Sequence, residues 1–325
     1  MIDGPRLQNC FAVCGIYDCP CDLATRMVAR RRAPPAVEAT EDADAVPASE
    51  NFTIDRSLRM AIDVRINGAM PVPFIVDTGA ERTVIASELA QKLSLASGPT
   101  LTLATITGRV QVPSFIIDSL KTAIVDMGGI EAPGLDRGNL GAYGLLGIDS
   151  LEDRKILLDF KKGSIDVLLS ALSKKRSTLE NGMIVVRATR RAGRMILSNA
   201  NIGNMAVDII IDTGAQSSMG NLALRKRLRA SDRDYAYQQV KMHSVTGDSV
   251  TGEYTQIKAI EIGGFGIEDL PITFSENYAL EILSVKNRPA ILLGMDALRM
   301  FDRVVIDFPN RRIAFELPKN RVRVK

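Results

Sequence analysis

Residues 74–80 read Phe-Ile-Val-Asp-Thr-Gly-Ala, and residues 209–215 read Ile-Ile-Ile-Asp-Thr-Gly-Ala. Three apolar residues in each copy are typical of the end of a buried strand, and the glycine allows a tight turn in which φ can be positive. Asp77 and Asp212 are therefore predicted to lie where a rigid strand gives way to a loop. One Asp-Thr-Gly alone is a weak signal, because short polar turns often follow strands. Two copies separated by 135 residues, from position 77 to position 212, indicate a duplicated unit.

The sequence around the two copies repeats further features in the same order. Ahead of each Asp, two apolar segments flank a short turn and predict a β-hairpin. After each Asp come a helix-like segment, a hairpin with a Thr-Gly turn, a Leu-Leu-Gly step and a closing hairpin that contains Asp-Phe. The paired positions are 67–68 and 203–204 for the first turn, 107–108 and 246–247 for Thr-Gly, 145–147 and 292–294 for Leu-Leu-Gly, and 159–160 and 307–308 for Asp-Phe. We therefore predict two mainly β lobes, residues 51–170 and 183–325, joined by a linker at residues 171–182.

Length and composition fit this division. A chain of 325 residues can form two modest domains with proper cores, and 46% hydrophobic with 24% charged residues is typical of a globular protein. The net charge of +3 gives no reason to expect a nucleic-acid or membrane partner. No apolar run approaches the length needed to span a bilayer, so no membrane span is predicted.

Residues 1–50 differ in composition from the rest of the chain. A basic stretch is followed by an Ala/Pro-rich acidic one, which predicts a disordered tail. The tail lacks a paired CxxC arrangement and a neighbouring histidine, so its cysteines predict no zinc site, and their role stays open. It also lacks a convincing signal peptide, so the compartment stays open between cytoplasm, as the default, and a bacterial periplasm or envelope. The cysteines are Cys10, Cys14, Cys19 and Cys21.

The repeated motifs resemble those of the retropepsin-like aspartic proteases, over about residues 55–318. The resemblance rests on apolar-Asp-Thr-Gly-Ala and on the downstream Leu-Leu-Gly, both of which occur twice. Ala80 and Ala215, after the glycines, are similar to retropepsins rather than to pepsins, which usually have serine there. The resemblance implies an all-β, bilobal acid-protease fold, in which two retropepsin-like β-barrel lobes with few short helices are related by a pseudo-two-fold axis. Since one chain supplies both lobes, it also implies a monomer.

The same resemblance implies an aspartic endopeptidase with Asp77 and Asp212 as catalytic residues. Two carboxyls held face to face share one proton, because they cannot both ionise cheaply. The ionised member activates a water, and the protonated member polarises the scissile carbonyl, with no metal, cofactor or covalent intermediate. The sequence leaves open which Asp is which. Supporting roles are implied for Thr78 and Thr213, which hydrogen-bond across the lobe junction, and for Gly79 and Gly214, which allow close backbone approach.

Two hairpin turns are implied to be flaps over a cleft that binds an extended polypeptide through its backbone. Neither turn has the Gly-rich sequence of viral retropepsin flaps or a pepsin-like tyrosine. A long Gly-rich loop, residues 127–144, has no evident counterpart in the second half and is expected to shape substrate access. The flap residues are Thr105, Ile106, Thr107 and Gly108 in the first half and Ser244, Val245, Thr246 and Gly247 in the second.

Other catalytic designs lack their parts. The chain has one histidine, His243, so a zinc protease with two histidine ligands is excluded, and no Gly-x-Ser-x-Gly is present. Three alternatives stay open: the paired Asp residues only cap turns, the cleft binds peptides without cleaving them, or the enzyme acts only after its tail is removed. A second symmetric pair, Asp149 and Asp296, precedes helix-like segments and is predicted to cap them.

Overall fold

The computed structural model describes residues 59–123, 125–170, 182–191, 193–231, 235–276 and 287–318, with Leu172, Leu280 and the backbone of six short strand segments. Those segments are Cys10–Phe11, Arg26–Ala29, Ala48–Asn51, Thr53–Ile54, Leu179–Glu180 and Arg323–Val324. Within this described part, no helix is long and apolar enough to cross a membrane. The predicted disordered tail, its cysteines and the linker lie largely or wholly outside the described residues and stay predictions.

The two halves of the chain are each mostly β, as predicted. Strands of the first half are Met60–Ile66, Val72–Val76, Val84–Ala86, Leu101–Thr105, Gly108–Val112, Ser114–Ile117, Leu120–Lys121, Asp126–Met127, Ile130–Leu135, Gly144–Leu146, Arg154–Asp159 and Ser164–Leu169, with helices Ser87–Lys92 and Arg137–Leu140 and a 3₁₀ turn Ile148–Ser150. Strands of the second half are Met183–Arg187, Thr189–Arg191, Arg194–Ile202, Met205–Ile211, Met219–Gly220, Gln238–His243, Ser249–Ile262, Phe265–Phe274, Ala290–Leu293, Arg303–Asp307 and Arg312–Glu316, with helices Leu222–Ser231 and Met295–Leu298.

The predicted hairpin ahead of Asp77 is present. Met60–Ile66 buries alternate residues along its outer half, as a strand with one wet face should, and pairs antiparallel with Val72–Val76. The chain reverses at Asn67 and Gly68, whose φ values of 48° and 74° are left-handed. Such turns match the twist of the flanking strands, which is why Asn-Gly favours them. The hairpin thus delivers Asp77 at the end of a buried strand.

A short parallel pairing fixes each Asp beside a Leu-Leu-Gly segment. Gly144–Leu146 runs parallel to the strand that ends at Val76, and the Asp77 N–H donates to the Leu146 carbonyl at 2.9 Å. In the second half Ala290–Leu293 runs parallel to Met205–Ile211, and the Asp212 N–H donates to the Leu293 carbonyl at 3.1 Å. The two repeated motifs therefore lie side by side in space, in both lobes.

The expectation for residues 127–144 is wrong. Ile130–Leu135 is a regular strand that pairs antiparallel with Ser114–Ile117 and parallel with Val84–Ala86. Its counterpart exists, since Phe265–Phe274 pairs parallel with Met219–Gly220 at the same place in the second lobe. The glycines hid the strand from sequence analysis. Gly134 is there because a Cβ would lie 2.4 Å from the Phe115 ring.

The closing hairpins of the two halves join in one seven-stranded sheet. Arg154–Asp159 pairs antiparallel with Arg303–Asp307 over five residue pairs, with Leu157 opposite Val305 at the centre. One face of this junction is fully buried and consists of Ile156, Leu158, Val304 and Ile306. The sheet takes strands from both lobes and so holds them together in the two-lobe arrangement.

Candidate active site

Each Asp-Thr-Gly-Ala loop wraps its own Asp side chain in backbone hydrogen bonds. Asp77 Oδ1 accepts the N–H groups of Gly79 at 2.8 Å and Ala80 at 2.9 Å. The second lobe repeats this arrangement with Asp212, Gly214 and Ala215, and both distances are 2.9 Å. Both carboxyls are buried, with residue exposures of 1% for Asp77 and 0% for Asp212. In each carboxyl the loop thus engages Oδ1.

The two loops meet face to face. A Cβ on Gly79 would lie 2.2 Å from Oδ2 of Asp212, and a Cβ on Gly214 would lie 2.2 Å from Cγ of Asp77. Neither glycine has the positive φ that the sequence suggested as a reason for it. The glycines are required instead by the opposite carboxyl, which occupies the space that any side chain would need. The structure therefore brings Asp77 and Asp212 together as an adjacent pair.

The two threonines cross-link the loops. The Thr78 N–H donates to Oγ1 of Thr213 at 3.0 Å, and the Thr213 N–H donates to Oγ1 of Thr78 at 3.1 Å. The Thr78 hydroxyl in turn donates to the Ile211 carbonyl at 3.0 Å, and the Thr213 hydroxyl donates to the Val76 carbonyl at 2.6 Å. These four bonds cross the lobe junction directly beneath the carboxyls, so they fix the position of one Asp relative to the other.

Burial and mutual repulsion set the electrostatics of the pair. Burial raises the pKa of Asp77 to about 6, against the lowering effect of two backbone N–H groups and of Arg194 and Arg59. The pKa of Asp212 is also raised well above its ordinary value, first by burial and then by the neighbouring charge of Asp77. Oδ2 of Asp212 is buried and has no hydrogen-bond partner among the described residues. The site therefore retains a proton at pH values where an exposed Asp would have lost it.

Asp149 and Asp296 bind the short helical segments that they were predicted to cap, Asp296 through the Ala297 N–H at 2.8 Å and Asp149 through the Ser150 backbone, and they also bind the Asp loops. Asp149 accepts the backbone N–H and the hydroxyl of Thr83, at distances between 2.8 and 3.0 Å. Asp296 accepts the N–H and hydroxyl of Ser218, at 2.9 and 2.7 Å. Thr83 and Ser218 follow the paired Asp residues on the same loops. The second Asp pair thus anchors the loops to the Leu-Leu-Gly segments.

The predicted flap turns contact opposite lobes. Ile106, at the first tip, is 1% exposed and belongs to an apolar cluster made mostly of second-lobe residues, among them Ala215 and Met219. At the second tip Val245 is equally buried, and Gly247 lies so close to Asn139 of the first lobe that a Cβ would be 2.8 Å from its amide nitrogen. Each turn is braced by a hydroxyl pair, Thr105 with Thr107 and Ser244 with Thr246, at 2.9 Å.

A cavity of about 660 Å³ lies elsewhere, against the helix Leu222–Ser231. None of its lining residues belongs to the Asp loops or to the hairpin tips, so it is separate from the carboxyl pair. Within the described residues no group of His, Cys, Asp and Glu is arranged to hold a metal ion, and His243 is exposed on a hairpin edge.

Sequence analysis missed two buried arginines. Arg59 and Arg194 lie 18 residues before Asp77 and Asp212, each followed by methionine, and are 1% and 2% exposed. Arg194 belongs to the second lobe but donates to the Gly79 carbonyl of the first, from Nε at 2.9 Å and from a terminal nitrogen at 2.6 Å. Arg59 donates to the Leu140 carbonyl at 2.7 Å. The identical offset was a usable signal, because both repeats have an arginine at the start of the strand that leads into the hairpin ahead of the Asp.

Comparisons with known proteins find two aspartyl protease family models in this chain. Residues 62–153 match the family model described as "gag-polyprotein putative aspartyl protease", and residues 198–297 match the model described as "Aspartyl protease". A solved structure, Basic 7S globulin from soybean, aligns at 13% identity and a TM-score of 0.42, over 82% of this chain and 94% of that one. A search of curated protein sequences found no match. The two family models cover the two loops separately and in tandem, and the chain belongs to the retropepsin-like aspartic proteases, with both lobes in one polypeptide.

Proposed function

We propose that the protein is an active aspartic endopeptidase that hydrolyses peptide bonds in an extended polypeptide held between its lobes. One observation carries this proposal: each Asp-Thr-Gly loop has its glycine against the carboxyl of the other loop, 2.2 Å from a would-be Cβ. Turn carboxyls that served only to cap local amides would have no reason to meet a second carboxyl. Two neighbouring acids, both buried, are the parts of an acid–base pair.

The reaction needs only these two groups and a water. The ionised carboxylate takes a proton from the water as its oxygen bonds to the scissile carbonyl carbon, and the protonated carboxyl gives its proton to the carbonyl oxygen. The first proton then passes to the amide nitrogen as the carbon–nitrogen bond breaks. At the same time one hydroxyl of the gem-diol intermediate returns its proton to the carboxylate that had protonated the carbonyl oxygen, so the pair again holds one shared proton. This is the known behaviour of aspartic protease pairs. We propose that no cofactor is involved.

The flap turns suggest how a substrate is bound. A polypeptide between the lobes must displace Ile106 from the second-lobe cluster, which then offers an apolar pocket beside Ala215. We therefore propose a substrate with an apolar side chain next to the scissile bond, bound as an added strand. Since both carboxyls belong to one chain, the monomer is the proposed active form. A single peak at the monomer mass that carries the peptidase activity in size-exclusion chromatography would support this.

Digestion of a diverse peptide mixture by wild type, Asp77→Asn and Asp212→Asn tests the proposal. Wild type should cleave, and each variant should be slower by about 10³-fold or more, because a single carboxyl cannot supply both acid and base. Fragment ends would give the cleavage preference.

As a control, both variants must fold as wild type does. This is expected because Asn keeps the shape of the Asp side chain and its Oδ1 acceptor. Cleavage that survives both substitutions would refute the proposed pair. Binding of the peptides by a wild type that cleaves nothing would favour the peptide-binding alternative.

A further inference from the structure

The Arg194 guanidinium joins the two lobes at the catalytic loop. It comes from the strand Arg194–Ile202 of the second lobe and places two donors on one acceptor, the Gly79 carbonyl, at 2.9 and 2.6 Å. Arg194 is 2% exposed, so this contact is shielded from solvent. A buried guanidinium on a single carbonyl is a strong, charge-assisted contact in a site of low dielectric.

That carbonyl belongs to the peptide group that also binds Asp77. The Gly79 carbonyl and the Ala80 N–H are the two ends of one amide, and the Ala80 N–H donates to Oδ1 of Asp77 at 2.9 Å. A cation on the oxygen of an amide draws electron density from its nitrogen, so the N–H becomes a better donor. A better donor favours the ionised form of the carboxyl that accepts from it. Arg194 is therefore connected to Asp77 through one polarised peptide group.

The arginine at the matching position of the first lobe makes a different contact. Arg59 donates to the Leu140 carbonyl, which belongs to its own lobe. Charged groups also differ around the two acids. Beyond burial, which raises both pKa values, the charges of Arg194 and Arg59 lower the pKa of Asp77, while the charge of Asp77 raises the pKa of Asp212 and that of Arg194 lowers it. Glu81, half-buried beside Arg194, is the other nearby acid. The pseudo-symmetric pair is thus held in unequal surroundings.

We propose that Arg194 is a positioning residue that breaks the symmetry of the pair, making Asp77 the ionised base and Asp212 the carrier of the shared proton. The inference rests on the proposed function for its catalytic meaning, though not for its electrostatics. Burial raises the pKa of both acids, so the pair holds a proton to share, and the contact of Arg194 with the Asp77 loop favours the ionised form on Asp77.

Carboxyl titration tests the inference without any enzyme assay. Asp212→Asn leaves Asp77 as the single acid of the pair, and Asp77→Asn leaves Asp212. Each would be titrated by ¹³C NMR of labelled Asp side chains, with and without Arg194→Gln. We expect Arg194→Gln to raise the pKa of Asp77 by about one unit, a tenfold gain in proton affinity, and that of Asp212 by clearly less. An equal or larger rise at Asp212, or none at Asp77, would overturn the inference.

Two further variants separate charge from fold. Arg194→Lys keeps the cation and one donor, and should hold the pKa of Asp77 near its wild-type value even if stability falls. Arg190→Gln is the matched control, because Arg190 lies on the adjacent strand and pairs at the surface with Glu152. It should leave both titrations unchanged. A purely structural role for Arg194 would instead make Lys and Gln equally harmful and shift no pKa.

Measurements of peptidase activity distinguish the proposed function from the proposed role of Arg194. In the dependence of kcat/KM on pH, Arg194→Gln should move the lower limb upward by about one unit, while Arg194→Lys restores most of the wild-type profile. A wild type without Asp-dependent cleavage would refute the proposed function and leave the titrations to decide the role of Arg194. An active wild type whose profile and titrations ignore Arg194→Gln would refute the inference alone.

Discussion

The positions of Asp77 and Asp212 are set by the residues around them. Their Oδ1 atoms are held by neighbouring N–H groups, their loops are tied by Thr78 and Thr213, and their contact is made possible by two glycines. The sequence predicted the threonine contacts and the close approach through a family resemblance. The repeated offset could have singled out Arg194, but not the bond it makes, because nothing local links that residue to a carbonyl 115 positions earlier in the chain.

The raised pKa values lead to a prediction about pH. Below the pKa of Asp77, about 6, both acids are protonated and no base remains, so activity should fall about tenfold per pH unit. Above the second pKa of the pair both carboxyls are ionised and no acid remains. We expect a bell-shaped kcat/KM profile with its lower limb near pH 6 and its maximum above it. The measurement is peptide cleavage from pH 3 to pH 9 at constant ionic strength, and a maximum below pH 4 would contradict it.

Among the strands, sequence analysis found those in which apolar and polar residues alternate regularly. The hairpin of Met60–Ile66 and Val72–Val76 alternates cleanly and ends in a recognisable Asn-Gly turn, so it was found. The strand Ile130–Leu135 was missed because Pro133 and Gly134 interrupt its pattern, and those residues are set by the pairing with Ser114–Ile117 and by the nearby Phe115 ring. The identity of such residues is determined by contacts with residues that are distant in sequence, so patterns within a short stretch of sequence do not predict them.

The first flap hairpin should open when its tip loses its contact with the opposite lobe. Ile106→Ala removes most of a fully buried side chain from the second-lobe cluster, which should cost up to about 2 kcal/mol of local stability. Amide hydrogen exchange over residues 105–109 should then be up to about 30-fold faster than in wild type.

Gln111→Ala, on an exposed face of the same hairpin, is the control and should leave the exchange unchanged. Equal protection of the tip in Ile106→Ala and wild type would show that the contact with the second lobe does not hold the hairpin down.

The whole molecule is held together at two levels, the threonine bonds beneath the acids and the sheet that both closing hairpins share. Duplicate landmarks in the sequence predicted two lobes. They did not predict that Arg154–Asp159 would pair with Arg303–Asp307, since each strand could equally have completed a sheet of its own lobe. The pairing of strands between lobes depends on how the two lobes pack against each other, and the hydrophobic pattern of a single strand does not predict it.

Unfolding should therefore be cooperative across both lobes. Leu158→Ala empties a fully buried position where the sheet crosses between lobes, opposite Val304, and should cost about 3 kcal/mol. In urea, probes placed in either lobe should report the same shifted midpoint. Leu157→Ala, at a half-buried position one residue earlier, should cost clearly less. Midpoints that shift in the first lobe only would show that the lobes unfold as separate units.

The reciprocal fit of glycine and carboxyl has a consequence for how this chain can change over generations. A larger residue at position 79 is penalised by the acid at 212, and a larger residue at 214 by the acid at 77. Surfaces, hairpins and helices of the two halves can therefore change independently. At these four positions, by contrast, the residue in one half limits which residue the other half can have. Divergence is therefore expected to begin in the surrounding charges, where Arg59 and Arg194 already differ in the contacts they make.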